Sequence, residues 1–382
     1  MANTDSNSSN NTNTVDVCFL PWLQLIRPIS LGRLTFLPCK DFLALQQDVP
    51  VADQLSKAFD CYTDGGKPLR TITVCQVDNC REANKIDDDD VAIIRKSVDA
   101  LCFASSFQIS RDHILDPQRS TYFSPQHFQL VRHSSKVGSN SFLLNLPYAC
   151  IINCNYDMRF ERPLALGGCP AVIDHRMVET LSRLLASDNN ALVERVSRTL
   201  EWTRLSHDDT GAVSNLSKVV MMGTAFEILL QITDRAHKRK QLVDKLDSLC
   251  KTRNSVLRRA RLDKKKAPEE HCAMAWWACR FYELRNAIVH SGKAGRAQLF
   301  HTPPKAGAHP GVSRLQVADV VLAECIWRLL FEARIVGDDC RRLAAVASLC
   351  GGDELDIARD YAPLYAGTKE VVETLRWRRQ SI

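Results

Sequence analysis

The stretch "FYELRNAIVHSG", residues 281–292, decides how the second half of the chain is interpreted. It combines helix-forming aromatic and aliphatic residues with the polar side chains of Arg285, Asn286 and His290, and it ends at Gly292. A helix that only fills a hydrophobic core needs none of these polar groups. Because glycine is typical of a helix C-terminus, the three polar side chains are predicted to lie in the last two turns of a packed helix.

The residues upstream define the rest of this helix. Pro268, followed by Glu269 and Glu270, is typical of a helix start, so we predict a helix over 269–290. Apolar side chains at helical spacing predict its core face: Trp277, Phe281, Leu284 and Ile288.

The polar residues at the end of the helix suit one kind of chemistry. Asn286 and His290 are four residues apart and therefore lie on one face, and the long side chain of Arg285, about 100° round the helix, can reach back towards it. Histidine can take or give a proton near neutral pH, and arginine presents a fixed set of donors to phosphate oxygens. Together they can cleave RNA without a metal, because the ribose 2′-OH attacks its own phosphate and leaves a cyclic phosphate end. DNA lacks the 2′-OH and would not be cut.

The spacing alone does not decide between function and structure. An arginine and a histidine at the same spacing occur again at Arg296 and His301, in a Pro/Gly-rich setting without helical periodicity. Cations also favour helix C-termini for structural reasons. The pattern therefore leaves both interpretations open.

The composition sets broad limits on the protein. A length of 382 residues predicts two or three domains, and a net charge of +6 is compatible with a polyanionic partner without demanding one. The 15 cysteines are an odd number, and no CxxC pair occurs, so we expect reduced, core-filling thiols rather than a disulfide framework or a zinc ribbon. With neither a signal peptide nor a run of about 20 apolar residues, the protein is expected to be cytoplasmic.

The first half of the chain mixes strand and helix signals. Residues 1–14 are nearly all polar and are predicted to form a disordered tail. Segments 29–38 and 71–77 alternate or carry β-branched residues and predict strands. Residues 87–104 predict a helix that starts with four aspartates, which are either metal ligands or, as we favour, caps of the helix N-terminus.

A concentration of proline and glycine, "RPLALGGCP" at 162–170, marks the predicted domain boundary. Residues 15–168 would form a mixed α/β accessory or sensor domain, and 169–382 an all-α bundle with its core at 175–337. The predicted fold class is therefore α+β. The predicted helices are 176–187, 190–206, 214–235, 239–262, 269–290 and 314–336, with weaker ones at 339–349 and 368–379.

A basic segment interrupts the helical half. Residues 238–266 hold twelve Lys or Arg and three Asp. We predict a helix with a basic outer face that ends in a basic loop, and this surface is either merely solvated or contacts phosphates. The candidate RNA-binding residues are Lys238, Arg239, Lys240, Arg258, Arg259, Arg261, Lys264, Lys265 and Lys266.

Four segments follow one another in an order that fits a known family. "ALVERVSRTLEWTRLSHDD" (191–209) is similar to a helix with a motif of an alanine or leucine followed by a tryptophan. "SKVVMMGTAFEILL" (217–230) looks like the next helix and carries an acidic residue, Glu227. "VDKLDSLCKTRNSVL" (243–257) looks like a connecting helix, and "FYELRNAIVHSG" fits the signature YxxRNxxxHxG. In the order and spacing of these elements, the region 175–337 resembles the HEPN domain family, specifically its Apea-like branch. The opening "PWLQLIRPISLGRLTFLP" is also similar to the start of the extra domain that precedes such HEPN domains.

This resemblance implies an α-helical bundle that commonly dimerises, so that two Arg-x4–6-His motifs meet in one cleft. Many members are metal-independent ribonucleases in anti-phage defence, abortive infection or toxin–antitoxin pairs. Carried over, Arg285 and His290 would be the catalytic pair, and Asn286 would orient His290 or bind phosphate. Glu227 would position Arg285, or alternatively be a helix-surface carboxylate without a role. Tyr282 would line the cleft or only pack as an aromatic residue.

Three hypotheses follow. In the first, the protein is a dimeric endoribonuclease that needs no metal or cofactor and acts on tRNA, mRNA or phage RNA, held in check by the N-terminal domain or by a regulatory or antitoxin partner. In the second, the bundle binds RNA or nucleotide without cutting it, and in the third it is a scaffolding dimer. The intact Arg, Asn and His favour the first. No membrane partner is expected, and none of the motifs GxxxxGK[ST], GxGxxG, HExxH or GxSxG occurs.

Overall fold

The structure, a computed structural model, divides the chain into two compact units. The first comprises Met1–Val98 with Gln126–Ala171, and the second comprises Asp99–Pro125 with Val172–Ile382. Residues Asp99–Pro125, which the sequence placed in the accessory domain, thus group with the helical unit. The residues that the structure describes are 14–46, 48–77, 86–115, 123–146, 150–166, 171–234, 236–250, 257–260, 262, 268–302 and 311–337.

The first unit is built on a β-sheet. In chain order its elements are β1 (Thr14–Leu20), β2 (Ile29–Leu31), β3 (Leu34–Pro38), α1 (Cys39–Leu45), α2 (Val49–Asp60), β4 (Tyr62–Asp64), β5 (Lys67–Pro68), β6 (Thr73–Val77), the start of α3 (Asp88–Leu115), β7 (Val131–Lys136), β8 (Ser141–Leu146), β9 (Cys150–Asn155) and β10 (Phe160–Glu161). Seven of the strands form an antiparallel sheet in the order β2-β3-β6-β1-β7-β8-β9. Strand β1 starts at Thr14, the last residue of the segment predicted to be disordered.

The predicted strands of the first unit are confirmed. Segment 29–38 is the β2–β3 hairpin, in which Ile29 pairs with Phe36 and Gly32 takes a positive φ of 59° at the turn. Strand β6 lies within the predicted 71–77. The aspartate run caps a helix as favoured, because the Asp90 amide donates to Asp87 Oδ1 at 2.8 Å at the start of α3.

An aromatic core holds one buried histidine of the sheet. The His133 ring stacks on Phe142 at 4.1 Å between centroids, and its Nε2 lies 3.0 Å from the Tyr62 hydroxyl. The side chain is 2% exposed, and burial lowers the pKa of His133 to about 3. His133 is therefore a neutral ring that serves as part of the core.

The second unit is mostly helical. After the later part of α3 its elements are α4 (His175–Leu185), α5 (Asn190–Ser206), α6 (Asn215–Leu229), α7 (Lys238–Cys250), β11 (Leu257–Ala260), β12 (Glu269–Cys272), α8 (Ala273–Ser291), β13 (Phe300–Thr302), β14 (Val312–Ser313) and α9 (Arg314–Glu332). The α+β class is thus confirmed, but the prediction that this half is all-α is wrong. Strands β11 and β12 form one antiparallel ribbon and β13 and β14 another.

The β11–β12 ribbon corrects two helix predictions. The helix predicted over 239–262 ends at Cys250, and residues 257–260 are a strand. The helix predicted from Glu269 starts only at Ala273, because Glu269–Cys272 pairs with β11. This pairing joins residues distant in sequence and overrides the local helix-start signal. The helices predicted at 339–349 and 368–379 lie outside the described residues.

The core of the second unit contains the predicted face of α8. Trp277 and Phe281 stack at 5.0 Å, and Phe226 of α6 lies 6.0 Å from Trp277. Leu284 and Ile288 are buried as well, so the predicted core face is confirmed. Ten described cysteines are buried free thiols, as expected, and Cys350 lies outside the described residues. Among the described helices, none has the length and hydrophobicity to cross a membrane.

Candidate functional site

The end of α8 has the conformation that the sequence predicts. Gly292 is the C-cap with φ 63° in the left-handed region, where a side chain would cost energy, and its amide donates to the Ile288 carbonyl at 2.8 Å. Arg285, Asn286 and His290 therefore occupy the last two turns of a helix whose opposite side is buried.

Glu227 on α6 is the centre of a charged cluster that contacts α8. Its Oε1 accepts a hydrogen bond from the Tyr282 hydroxyl at 2.5 Å and lies 3.1 Å from Arg285 Nη2. Its Oε2 accepts from the Lys238 ammonium at the start of α7. The side chain of Glu227 is 12% exposed and that of Arg285 16%, so the pair is largely screened from water. One carboxylate and two cations leave the cluster with a formal charge of +1.

The sequence of α6 places Glu227 at this point. Ser214 caps the helix start by accepting from the Ser217 amide, and the helix stops after Leu229, short of the predicted residue 235. Gln231 takes a positive φ of 51°, and the Ile232 amide returns to the Glu227 carbonyl at 2.9 Å. Glu227 thus lies in the last turn of α6.

A lysine of α7 supports the same helix end. The Lys245 ammonium donates to the carbonyls of Leu230 and Gln231 at 2.6 and 2.9 Å. A cation at a helix C-terminus is favourable, because the carbonyls there lack helical partners. Lys245 therefore helps to fix the turn of α6 that carries Glu227.

Gly223 makes room for the stem of Arg285. A Cβ atom at Gly223 would lie 3.1 Å from Arg285 Cγ, which is tighter than ordinary contact, and 3.6 Å from Nε. The arginine stem therefore runs directly against the α6 backbone. Its Nε is buried and has no hydrogen-bond partner among the described residues, so the terminal nitrogens alone connect the guanidinium to its neighbours.

Tyr282 is a packed ring with a polar tip in the cluster. It is 1% exposed, and the Arg285 guanidinium carbon lies 5.2 Å from the centre of its ring. Burial, and then the hydrogen bond to Glu227, raise the pKa of Tyr282 well above its ordinary value. The hydroxyl therefore remains a donor to Glu227.

Asn286 and His290 differ in their contacts. Asn286 Oδ1 accepts from Arg285 Nη1 at 3.2 Å, so the arginine does reach back towards this face. His290 is exposed in the last turn of α8, beside Val289, which is 49% exposed. Within the described ranges, no hydrogen bond joins His290 to Asn286 or to Arg285, so the suggestion that Asn286 orients His290 receives no support.

The predicted RNA-binding residues divide into four groups. Lys238 and Arg239 have internal partners: Lys238 binds Glu227, and Arg239 Nη1 donates to Glu283 Oε1 at 2.8 Å while its Nη2 donates to the Leu262 carbonyl. Lys240 is exposed. Arg258 and Arg259 belong to strand β11, and Arg261, Lys264, Lys265 and Lys266 lie outside the described residues.

The second arginine–histidine pair has a different setting. Arg296 starts a short 3-10 helix and His301 lies on β13, so the two do not share an α-helix face. This agrees with the expectation that the repeated spacing is not embedded in a helix.

Sequence reasoning missed two members of the site. Lys238 was assigned to an outer surface, whereas it is the second cation on Glu227. Gly223 was not singled out, although a glycine inside a helix, four residues before an acid on the same face, is a signal for close packing. Both become visible only when α6, α7 and α8 are packed together.

The arrangement offers an exposed imidazole and a preorganised guanidinium on one helix end. The imidazole can exchange a proton with solvent or ligand, and the guanidinium is held by a carboxylate, an amide and an aromatic ring.

Comparison of the chain with protein-family models, curated proteins and solved structures finds no match.

Proposed function

We propose that the helical unit is a HEPN-type bundle and that the protein is a metal-independent endoribonuclease, acting in anti-phage defence or abortive infection. The observation that carries this proposal is the Glu227–Arg285–Asn286 cluster at the end of α8, with His290 exposed one turn beyond it. This is the placement that the resemblance to HEPN domains leads one to expect for a catalytic arginine and histidine and for a positioning acid.

In this mechanism His290 carries out the proton transfers of the reaction. A neutral imidazole takes the proton of the ribose 2′-OH, and the 2′-oxygen attacks the adjacent phosphorus. The bond from phosphorus to the 5′-oxygen breaks, and that oxygen takes up the proton that the imidazole accepted from the 2′-OH, which returns the imidazole to its neutral form. The products are a 2′,3′-cyclic phosphate and a 5′-OH.

Arg285 stabilises the charge that builds on the phosphate oxygens. Its guanidinium does not need to be ordered at the moment of reaction, because Glu227, Asn286 and the Tyr282 ring already hold it. Lys238 adds positive charge, so that Glu227 does not fully neutralise the site. Glu227, Tyr282 and Lys238 act through Arg285 and are positioning residues.

We further propose that two copies of the chain join around this helix end. Val289 and His290 are exposed on the last turns of α8, and a single copy shows no contact between Arg285 and His290 among the described residues. A second copy would cover the exposed valine and bring a second arginine and histidine to the same cleft. Sedimentation analysis of the full chain is expected to give a dimer.

The cleavage test compares the wild type with His290→Ala and with His175→Ala, which removes an exposed histidine at the start of α4. Each protein is incubated with total RNA and with tRNA in the presence of EDTA, and the product ends are mapped. We expect cyclic phosphate ends from the wild type and from His175→Ala and no cleavage by His290→Ala. Equal cleavage by all three would show that the activity does not come from this site.

One observation favours a second candidate function, an RNA- or nucleotide-binding module without cleavage. The contacts of Arg285 in the described residues are all internal, to Glu227, Asn286 and Tyr282. If wild type and His290→Ala bind RNA equally, with strong salt dependence, and neither cuts it even as a dimer, the binding module is the better description.

A further inference from the structure

Two neighbouring tryptophans of α8 have different surroundings. Trp277 is fully buried and stacks on Phe281 in the core, whereas Trp276 is only partly buried. The side chain of Arg280 is exposed, and its guanidinium carbon lies 5.6 Å from the centre of the Trp276 ring. The helix therefore presents at its surface a large ring with a cation beside it.

The charge of Arg280 is not neutralised by an acid of the same helix. In the part of the chain that the structure describes, no ion pair joins Arg280 to a carboxylate, and Glu283, three residues further along α8, is already paired with Arg239 at 2.8 Å. The Trp276–Arg280 pair therefore keeps a positive charge, which an anionic ligand would complement.

The pair lies on the same side of α8 as His290. The step of 14 residues from Trp276 to His290, at about 100° per residue, is about 40° short of four full turns. By the same count Arg280 lies about 40° from Trp276 in the opposite sense, and Glu283 and Ala287 fall between these limits. Over this distance the helix rises about 21 Å. One strip of the helix surface therefore connects the pair with His290.

A nucleotide of single-stranded RNA has the two groups that this pair can bind. A nucleobase offers a flat face that stacks on a tryptophan ring, and the phosphate beside it accepts hydrogen bonds from an arginine. In a duplex the faces of the bases are already stacked on one another, so a duplex fits poorly. Glu283 is the one acid in the sequence of α8, and its pairing with Arg239 reduces the repulsion of a polyanion along the strip.

We propose that Trp276 and Arg280 form a subsite in which one base of single-stranded RNA stacks on the tryptophan ring and its phosphate contacts the arginine. This proposal rests on the proposed endoribonuclease function and deepens it, because it assigns a substrate class to the strip that leads to His290. At about 3.4 Å per stacked nucleotide, the rise of about 21 Å corresponds to about six nucleotides. The enzyme would thus act on single-stranded segments that extend about six nucleotides to one side of the cleaved bond.

Binding is measured by fluorescence anisotropy with a labelled 12-nucleotide single-stranded RNA. The full-length chain carries His290→Ala to prevent cleavage. In this background Trp276→Leu is compared with Trp202→Leu, which removes another partly buried tryptophan, on α5. We expect about tenfold weaker binding for Trp276→Leu, because the stacking of one base is lost, and unchanged binding for Trp202→Leu.

Salt dependence separates stacking from charge in the same background. Trp276→Leu removes an uncharged ring and should leave the log–log slope of affinity against salt unchanged, and Trp276→Phe, which keeps a ring, should restore most of the affinity. Arg280→Gln should reduce the slope by about 0.7, as for one lost phosphate contact on a single strand. Because Arg280→Gln changes only an exposed side chain, it tests the subsite even if Trp276→Leu disturbs folding. Unchanged affinity in both variants would overturn the subsite.

A second copy of the chain could also cover a surface tryptophan. The same variants are therefore studied by sedimentation without RNA, and the subsite predicts that their association state equals that of the His290→Ala parent. A shift towards monomer in Trp276→Leu, together with an unchanged salt slope in Arg280→Gln, would show that this side of α8 is a protein interface and would overturn the RNA subsite.

The subsite and the proposed function can fail separately. In a protein that has His290, Trp276→Leu should slow cleavage of the 12-nucleotide RNA about tenfold at low substrate concentration but leave cleavage of a dinucleotide unaffected. If both substrates are cut at the wild-type rate, the subsite is wrong and the nuclease stands. If RNA is bound through the pair but the wild type does not cut it, the nuclease is wrong and the subsite belongs to a binding module. If the wild type neither binds nor cuts RNA, both are wrong.

Discussion

Two histidines of the same chain, one in each unit, differ in their burial and in their neighbours. His133 of the first unit is 2% exposed between aromatic rings, and burial lowers its pKa to about 3. His290 of the second unit is exposed at a helix end, one turn after a carboxylate-bound arginine cluster. The first is closed off from any substrate and stays neutral near neutral pH, whereas the second is open to a ligand.

The difference teaches which polar groups stabilise the fold and which are available for chemistry. Around His133 the neighbours are rings and one hydroxyl, which fit a neutral side chain. Around Arg285 one carboxylate holds two cations, which leaves the cluster with a formal charge of +1. His133 thus makes one hydrogen bond among packed rings, and its Nδ1 has no partner among the described residues, whereas the Arg285 cluster keeps an unbalanced formal charge in a largely screened position.

The largest expected effect is on the rate of RNA cleavage, and it tests the difference between His290 and His133 directly. His290→Ala should lower the rate of RNA cleavage by about 10²–10⁴-fold, because general acid–base catalysis is lost, and leave the melting temperature unchanged. His133→Ala should destabilise the protein by about 3 kcal/mol, because it empties part of an aromatic core, and leave the activity of the folded fraction intact. Thermal melts and initial cleavage rates of both variants provide the test, and the reverse pattern would refute the distinction.

The second prediction compares two glutamates that each bind an arginine. Glu227→Ala leaves Arg285 and Lys238 without a counter-ion in a screened site, and we expect a loss of about 2–3 kcal/mol in unfolding free energy. Glu283→Ala, whose side chain is 41% exposed, should lose less than about 1 kcal/mol. Urea unfolding measures both, and equal losses would mean that the Glu227 cluster is not special.

The third prediction tests whether the close contact between α6 and α8 at Gly223 positions Arg285. Gly223→Ala improves helix propensity by up to about 1 kcal/mol but places a methyl group against the Arg285 stem. We expect cleavage to fall about tenfold while stability changes by less than about 1 kcal/mol, since a small displacement of a catalytic group is costly. In an Arg285→Ala background the same change should have no effect on activity. An effect of equal size in both backgrounds would exclude this mechanism.

The smallest expected effect concerns acid stability. Since the pKa of His133 is about 3 in the fold and about 6.5 when unfolded, the unfolded state binds the extra proton between these values. The stabilisation by neutral His133 is therefore complete above pH 6.5 and is lost as the pH falls towards 3. Between pH 6.5 and 5.5 the loss is about 1 kcal/mol at most.

His133→Phe keeps the ring but cannot take up the proton. Its free energy of unfolding should therefore depend less on pH between 6.5 and 5.5 than that of the wild type, as followed by urea unfolding at each pH. An unchanged pH dependence would show that another group is responsible.

Local signals in the sequence predicted much of the fold. The apolar spacing of Trp277, Phe281, Leu284 and Ile288 and the stop at Gly292 are confirmed, because both depend on one helix. The β11–β12 ribbon was missed, since its pairing joins segments far apart in sequence. No local pattern could have predicted it.

The candidate site shows the same limit. Arg285, Asn286 and His290 were recognisable from one segment, and the contact of Glu227 with Arg285 was anticipated only through the resemblance to a family. Lys238 and Gly223 belong to two other helices, and their roles depend on how α6, α7 and α8 pack.

The most direct measurement uses an RNA with one cleavage site, first mapped with the wild type, and the same RNA with a 2′-deoxy nucleotide at that site. Both are incubated with wild type and His290→Ala in EDTA. The account predicts that the wild type cuts only the all-ribose RNA, leaving a cyclic phosphate, and that His290→Ala cuts neither. Cleavage of the 2′-deoxy substrate, or equal cleavage by His290→Ala, would contradict it.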